Sequence, residues 1–258
     1  MLAGKFGLIG NVANQRSAAW AIAQACDRFG ATIALGYRGE RELAQLQKLI
    51  GELSRPPLLV PCDVTSDEQL AALRDTLAAE FGRVDFLVHA IAFANAEDLN
   101  GRFVDTSRDG FLLAHDVSAY SLAALARAVE PLMPAGGSIV TLSFIGAVRA
   151  MPNYNVMGVA KASLEATVRY LATDLGPQGI RVNAISAGPM RTLAAAGVSH
   201  FKAMFARSAE VAPLRRNTTQ EEVADATVFL LSDMGRGITG DVLYVDNGFH
   251  VVGAAMRD

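Results

Sequence analysis

The chain has 258 residues, of which 51% are hydrophobic, and its formal net charge is −3. A chain of this length and hydrophobic content can bury one continuous core, so we expect a single domain over residues 1–258. The charged residues are spread along the sequence without a basic field, which argues against binding to nucleic acid or to an anionic membrane. No run approaches the roughly 18 to 20 apolar residues of a membrane span. Cys26 and Cys62 have neither metal-ligand nor disulfide spacing, so we expect no metal site and a reducing, cytoplasmic location.

Short β-rich runs alternate with helical patterns along the whole chain. Strands are predicted at Phe6 to Gly10, Thr32 to Tyr37, Leu58 to Asp63, Asp85 to Ala90, Ser138 to Ser143, Arg181 to Ser186 and Asp241 to Val245. Helices are predicted at Ala18 to Arg28, Glu40 to Leu53, from Ser66 onward, Ser118 to Leu132, Pro152 to Leu175 and Thr219 to Leu231. This alternation predicts an α/β fold, a Rossmann-type doubly wound sheet of about seven parallel strands with helices on both faces. The irregular stretch near residues 189–213 is interpreted as a substrate-binding loop.

The segment after the first strand is a candidate phosphate-binding loop. It runs from Gly10 to Ser17 and enters a helix at Ala18, so backbone N–H groups and the positive end of the helix face the same point. The glycine-rich GxGxxG fingerprint is absent. Asn11 stands where a glycine is expected, and asparagine enters the left-handed region more readily than other non-glycine residues. From this pattern alone, Ser17 is equally well explained as the N-cap of a surface helix.

Residues after the second and third strands are candidates for contact with an adenosine. Arg38 stands where an acidic residue would favour NAD, and its charge suits a 2′-phosphate. A solvated loop charge explains Arg38 as well, so the choice between NADH and NADPH stays open. Asp63 and Val64 follow the third strand, where an adenine ring would lie, although Asp63 also suits a local turn.

Tyr154 and Lys161 are the residues with the most chemical content. They are seven positions apart on a predicted helix, so their side chains leave one face about 10 Å apart along the axis. A phenol at the strand ends can hydrogen-bond a carbonyl that gains negative charge, while an ammonium group can hold ribose hydroxyls and lower the pKa of the phenol. Taken alone, an interfacial tyrosine and a lysine lying along the surface explain the pair too.

Several segments carry a resemblance to a known family. They are HAIAFA at 89–94, SAYSL at 118–122, NYNVMGVAKASLEA at 153–166, RVNAISAGPMRT at 181–192 and ITGDVLYVDNGFHVVG at 238–253. The chain resembles the enoyl-acyl-carrier-protein reductases of bacterial fatty-acid synthesis, within the short-chain dehydrogenase superfamily. Ordinary ketoreductases of that superfamily place their lysine four residues after the tyrosine, where this chain has Gly158. They also carry an Asn-Asn-Ala-Gly type turn where this chain has HAIAFA.

The resemblance implies reduction of the trans-2 double bond of an enoyl thioester by hydride from NADH or NADPH, the last step of the elongation cycle. Tyr154 would stabilise the enolate, and Lys161 would fix the nicotinamide ribose. The implied cofactor-binding residues are Gly10, Ser17, Ala18, Arg38, Asp63, Val64, Ala90, Ile91, Ala92, Lys161, Ile185, Gly188, Met190 and Thr192. The implied substrate-binding residues are Phe93, Ala94, Phe144, Tyr154, Met157, Met190 and Phe201, with core packing as the alternative for the apolar ones.

The resemblance also implies partners. These are an acyl-carrier protein bearing the enoyl chain and three further copies of the chain, because the family suggests a homotetramer. The two long predicted helices, Ser118 to Leu132 and Pro152 to Leu175, would pair with their symmetry mates in an isologous interface.

Two departures from the family pattern keep alternatives open. Position 144 is Phe144, where the family has a second tyrosine, and Asn11 and Ala21 replace the loop glycines. A short-chain ketoreductase or dehydrogenase acting on a carbonyl is one alternative, opposed by the tyrosine to lysine spacing. A nucleotide-binding paralogue with weakened or lost catalysis is the other, opposed by the presence of Tyr154 and Lys161.

Overall fold

The computed structural model describes residues 1–192 and 201–253. Within them, seven parallel strands form one sheet in the order β3-β2-β1-β4-β5-β6-β7. The strands are β1 (Phe6–Gly10), β2 (Thr32–Tyr37), β3 (Leu58–Pro61), β4 (Phe86–His89), β5 (Ser138–Phe144), β6 (Arg181–Ala187) and β7 (Val242–Val245). The predicted doubly wound α/β fold is confirmed.

Helices cover both faces of this sheet. Those described are α1 (Ala18–Arg28), α2 (Glu40–Leu49), α3 (Asp67–Phe81), α4 (Ala96–Leu99), α5 (Arg108–His115), α6 (Ser121–Val129), α7 (Asn155–Leu175), α8 (Phe201–Val211) and α9 (Gln220–Leu231). The core has two parts: α1, α2 and α9 pack on one face of the sheet, and α3, α6 and α7 pack on the other. No helix among the described residues is both long enough and apolar enough to span a membrane.

The sheet places its switch point between β1 and β4. Strand β1 pairs with β2 on one side and with β4 on the other, so that Gly10 lies beside His89. The connections turn in opposite directions from this point, which leaves a crevice at the carboxyl ends of the two strands. Inside the sheet the ring of Phe86 packs directly on the backbone of Gly7, where a Cβ would lie 2.0 Å from the ring.

Several predicted boundaries were wrong. Strand β3 ends at Pro61 rather than Asp63, because Asp63 turns the chain by accepting hydrogen bonds from the backbone and hydroxyl of Thr65. Helix α7 begins at Asn155 rather than Pro152, since Asn153 and Asn155 both have positive φ. The stretch predicted as irregular, residues 189–213, contains helix α8.

The predicted helix from Ser118 to Leu132 is also divided. A π-helical turn covers Asp116–Tyr120, α6 follows, and a 3₁₀ turn covers Glu130–Leu132. The predicted helix from Glu40 to Leu53 likewise ends as α2 at Leu49 and continues as a 3₁₀ turn over Ile50–Glu52. Ends of this kind are where local sequence decides least.

Candidate active site

A cavity of about 370 Å³ opens at the carboxyl ends of the strands, beside the switch point. It is lined by the loops that follow β1, β4 and β6, the last residues of β5, the first turns of α1 and α2, and Tyr154 and Lys161 at and within α7. Its lining residues are Asn11, Ala13, Asn14, Ser17, Ala18, Ala19, Arg41, Glu42, Ala90, Ile91, Ala92, Leu142, Ser143, Phe144, Tyr154, Lys161, Met190 and Thr192. This is the crevice where doubly wound folds hold dinucleotides.

The loop after β1 has the features of an anion site. Asn11 has φ of 57°, so asparagine does adopt the left-handed conformation in place of glycine. Its Oδ1 atom is buried, and no hydrogen-bond donor from the described residues reaches it. Ser17 caps α1 by accepting from the Trp20 N–H at 3.1 Å, whereas the N–H groups of Ala18 and Ala19 at the start of the helix have no intrahelical acceptors. These groups suit the pyrophosphate and hydroxyls of a dinucleotide.

Tyr154 is fixed at the start of α7 by the conformation of its neighbours. Asn153 and Asn155 flank it with φ of 59° and 35°. The Asn155 amide donates to the carbonyl oxygens of Leu99 at 3.1 Å and Gly101 at 3.2 Å, which ties the start of α7 to the end of α4. Strained residues beside a reactive side chain persist because the surrounding structure holds them. The backbone conformation on either side of Tyr154 therefore directs its phenol into the cavity.

Two glycines form a notch for the Tyr154 ring. A Cβ on Gly146 would lie 2.5 Å from a ring carbon of Tyr154, and a Cβ on Gly158 would lie 2.9 Å from the carbonyl oxygen of Gly146. On its other side the ring meets Phe144 edge to face, with centroids 4.9 Å apart. A lysine at position 158, as in ordinary ketoreductases, would collide with the Gly146 backbone. The packing of the Tyr154 ring therefore excludes a lysine four residues after the tyrosine.

Lys161 reaches the cavity from the next turns of α7. Its Nζ donates to the carbonyl oxygen of Leu142 at 2.7 Å, just before the end of β5. Burial lowers the pKa of Lys161 to about 8, and the carboxylate of Glu165 opposes that change. Tyr154 behaves differently from expectation: burial, with a smaller contribution from Glu165, raises the pKa of its phenol. The expected lowering of this pKa by the ammonium group was wrong for this structure, where burial and Glu165 both raise it.

The structure brings ten of the predicted site residues to the cavity wall. They are Ser17, Ala18, Ala90, Ile91, Ala92, Phe144, Tyr154, Lys161, Met190 and Thr192. The wall also contains residues that the sequence did not single out, chiefly Asn14, Arg41, Glu42 and Ser143. Arg41 could have been found from its position in the first turn of α2, the helix that follows β2.

Other predicted residues lie outside the wall of this cavity. Gly10 and Ile185 are buried in β1 and β6, and Gly188 donates its N–H to Val245 just after β6. Arg38 is exposed, Asp63 forms the local turn, and Val64 is in the core. Phe93 is 42% exposed, while Met157 packs in a small apolar cluster against which Ala94 and Tyr154 lie. Phe201 begins α8, and its side chain lies outside the described part of the chain.

A second cavity, of about 410 Å³, lies on the other side of Tyr154. It opens between α7 and the loop of residues 146–151, and Arg149 is the charged residue in its wall. Lys161 does not reach it. Because Tyr154 and Lys161 both face the 370 Å³ cavity, we assign the candidate chemistry to that one.

Comparison with known proteins identifies the family. A family model described as Enoyl-(Acyl carrier protein) reductase matches residues 12–250. The chain belongs to this family. It is 54% identical to the enoyl-[acyl-carrier-protein] reductase [NADH] FabI of Bacillus cereus over 98% of this chain and 99% of that one. It is 50% identical to the [NADPH] enzyme of Staphylococcus aureus, over 97% and 98%.

A solved structure agrees with this assignment. The Bacillus cereus enzyme with NADP⁺ and indole naphthyridinone superimposes with a TM-score of 0.96 and 54% identity, covering 98% of this chain and 99% of that one. The enoyl reductase family therefore accounts for the fold from β1 to the segment after β7. The segment HAIAFA, which carried part of the resemblance, begins with His89. The two ring nitrogens of His89 lie 2.8 Å from the hydroxyls of Thr141 and Ser121.

The hydrogen bonds of His89 fix the end of β4, from which the chain enters the wall of the cavity. Burial, with a smaller contribution from Lys161, lowers the pKa of His89 to about 3, so its ring is neutral. From His89 the chain runs directly into the cavity wall at Ala90 to Ala92. The hydroxyl of Ser118 then accepts from the Phe93 N–H at 2.9 Å and donates to the Phe93 carbonyl at 3.0 Å. Both ends of the wall segment are held by buried hydroxyl contacts.

Proposed function

We propose that this chain reduces the trans-2 double bond of enoyl thioesters carried on an acyl-carrier protein, with NADH or NADPH as hydride donor. The observation that carries the proposal is that Tyr154 and Lys161, seven residues apart, open on the same cavity, while the packing of Gly158 against Gly146 leaves no room for a lysine at position 158. Relatives named as enoyl-[acyl-carrier-protein] reductases share about half of the sequence over nearly its full length. Residues 1–258 would form one cofactor-binding and catalytic domain in the cytoplasm.

The residues in the cavity wall fit a dinucleotide. The unpartnered Oδ1 of Asn11 and the free N–H groups of α1 lie at one part of the wall, and Lys161 lies at another. The bound reduced nicotinamide would supply a hydride to the β-carbon of the substrate. Asn11, Ser17 and Ala18 would bind its phosphates, and the Lys161 ammonium group would donate to its ribose hydroxyls.

Tyr154 would act on the substrate. Its O–H donates to the thioester carbonyl oxygen, and this hydrogen bond strengthens as the oxygen becomes the enolate oxygen. Because burial raises its pKa, the phenol is protonated at neutral pH and remains a donor. A proton then adds to the α-carbon, which gives the saturated thioester. Phe144 has no hydroxyl to deliver that proton, so Tyr154, Lys161 or water must do so.

A substrate comparison tests this proposal. Oxidation of NADH and NADPH is followed with crotonyl thioester, with acetoacetyl thioester and with no acceptor. The proposal expects turnover with crotonyl thioester and none with the other two. Turnover of acetoacetyl thioester alone would indicate a ketoreductase, and cofactor binding without turnover of either would indicate a non-catalytic paralogue.

The choice of coenzyme is proposed to depend on Arg41 more than on Arg38. Both arginines lie near the carboxyl end of β2, but Arg41 is in the cavity wall and Arg38 is not. We expect Arg41→Gln to raise the KM for NADPH about 10-fold with little change for NADH, because only the 2′-phosphate loses a charge-assisted hydrogen bond. Arg38→Gln is the matched control. Equal effects of Arg41→Gln on both coenzymes would remove Arg41 from the 2′-phosphate site.

The acyl-carrier protein is the proposed partner. Carrier proteins are acidic, and the segment around α8 is rich in cations: Arg191, Lys202, Arg207, Arg215 and Arg216. Some of these charges are already balanced, since Arg207 lies 3.0 Å from Glu210 and Arg216 lies 2.5 Å from Glu222. Arg191 stacks over Phe205. Lys202 is exposed on α8, and we use it to probe this group of cations around α8.

Reversal of Lys202 tests the docking of the carrier. Lys202→Glu should raise the KM for the carrier-bound substrate about 3- to 10-fold at low salt, and the effect should fade as salt screens it over roughly 8 to 10 Å. Arg207→Glu should have a smaller effect, because Glu210 already neutralises Arg207. Lys48→Glu, an exposed reversal on α2, is the control. If Lys202→Glu impaired a short thioester without carrier equally, the residue would shape the substrate loop near residues 189–213 instead.

A homotetramer is proposed as the assembly. Large apolar side chains are exposed along the helices that the sequence assigned to the interface: Tyr120 before α6, and Val159 and Tyr170 on α7. Tyr170 is 75% exposed. Pairing of α6 and α7 with their symmetry mates would bury them.

A further inference from the structure

Glu165 is a buried carboxylate to which the proposed reaction gives no role. It lies on α7 one turn after Lys161, and the residue is only 6% exposed. Removing a carboxylate from water is costly unless a hydrogen bond or an opposite charge compensates. Interactions of Glu165 must therefore compensate for its burial, and the residues that make them indicate its role.

Glu165 and Lys161 are held by two consecutive residues of β5. The Ser143 hydroxyl donates to Glu165 Oε1 at 2.6 Å. The carbonyl of Leu142, the preceding residue, accepts from Lys161 Nζ at 2.7 Å. Leu142, Ser143 and Lys161 all reach the cavity wall. Hydrogen bonds from Lys161 to Leu142 and from Ser143 to Glu165 thus join two successive turns of α7 to the end of β5.

The charges of Glu165 and Lys161 each favour the ionised form of the other residue. The pKa of Glu165 is raised overall, because burial outweighs the opposite effects of the Ser143 hydroxyl, Arg169 and Lys161. The negative charge of Glu165 in turn raises the pKa of Lys161 against its burial. Arg169 donates to the backbone carbonyl of Glu165. The other titratable groups that interact with this pair are His89 on β4, Tyr154 at the start of α7 and Tyr244 on β7.

We propose that Glu165 is a positioning residue for Lys161: held by Ser143, its carboxylate supplies the negative charge that balances the buried ammonium group and keeps it directed at the cavity. The consequence for cofactor binding rests on the proposed function of Lys161. The charge relation between Glu165 and Lys161 does not, so the two can fail separately. A purely structural role would require the Ser143 hydrogen bond but not the charge.

The test is titration of Lys161 by NMR in cofactor-free protein labelled with ¹⁵N-lysine. The chain has four lysines, all among the described residues, and of these only Lys161 is buried. Glu165→Gln keeps the size of the side chain and an acceptor for Ser143 but removes the charge. We expect the Lys161 pKa to fall by on the order of one pH unit, because an opposite charge nearby favours the charged amine. Glu80→Gln, an exposed carboxylate on α3, makes the same change in net charge and should leave it unmoved.

Ser143→Ala provides a second arm that keeps both charges. Without the hydroxyl, Glu165 is more easily protonated, so the Lys161 pKa should fall in the same direction by a smaller amount. This arm decides the question if Glu165→Gln does not fold. An unchanged Lys161 pKa in whichever of these variants folds would overturn the proposal. A lowered pKa with no change in the pH dependence of cofactor affinity would leave the charge relation standing and count against the assigned role of Lys161.

Discussion

Replacing Tyr154 by phenylalanine is expected to lower kcat with an enoyl thioester by on the order of 10- to 1,000-fold, with little change in cofactor affinity. The hydroxyl is lost, while the ring still fits the notch of Gly146 and Gly158 and still meets Phe144. The interaction removed is one that strengthens as the enolate forms, so the loss should be in kcat and not in substrate KM. Single-turnover measurement of the chemical step decides whether this holds.

Two controls sharpen this expectation. Tyr170→Phe removes the hydroxyl of an exposed tyrosine on the same helix and should leave kcat unchanged. Binding of NADH or NADPH to Tyr154→Phe, followed by fluorescence, should match the wild type. Full turnover by Tyr154→Phe under conditions where chemistry limits the rate would show that the enolate is stabilised by another group.

The core of the fold was predictable because its strands are continuous apolar runs separated by helical periodicity. Strands β1 and β2 and helix α1 have the predicted bounds. The errors are at ends where a specific contact overrides the local pattern. Asp63 leaves the sheet to bond Thr65, and the left-handed conformation of Asn153 and Asn155 delays α7. Side-chain hydrogen bonds and strained φ angles are set by tertiary context, which local periodicity does not report.

The candidate site was predictable to the extent that its residues follow strand ends or share a helix face. Their spacing singled out Tyr154 and Lys161, but the resemblance to the enoyl reductases decided for them and implied Ala90 to Ala92. Glu165 gave no signal because a glutamate four residues after a lysine is typical of any solvated helix. Its importance comes from burial and from Ser143, a contact over 22 positions. The rise in the pKa of Tyr154 was missed for the same reason, since it depends on burial.

Lys161→Ala is expected to weaken binding of NADH and NADPH by about 10- to 100-fold, the cost of losing a hydrogen bond from a charged group in a partly dry site. Truncation also leaves an empty volume, so Lys161→Met, which likewise removes the donor to the Leu142 carbonyl but preserves most of the volume, is the matched variant. Both should lose affinity similarly if the ammonium group matters. A Lys161→Met protein that binds cofactor as tightly as the wild type would end the assignment.

The pH dependence separates charge from packing at Lys161. The ammonium group is the form that binds, and in the cofactor-free protein its pKa is lowered to about 8. Wild-type affinity should therefore be complete below this pH and decline as pH rises through it, because binding must then be preceded by protonation. In Lys161→Ala and Lys161→Met the affinity should be low at every pH and lack that decline. Isothermal titration at several pH values measures both features, and a decline that persisted in the variants would belong to another group.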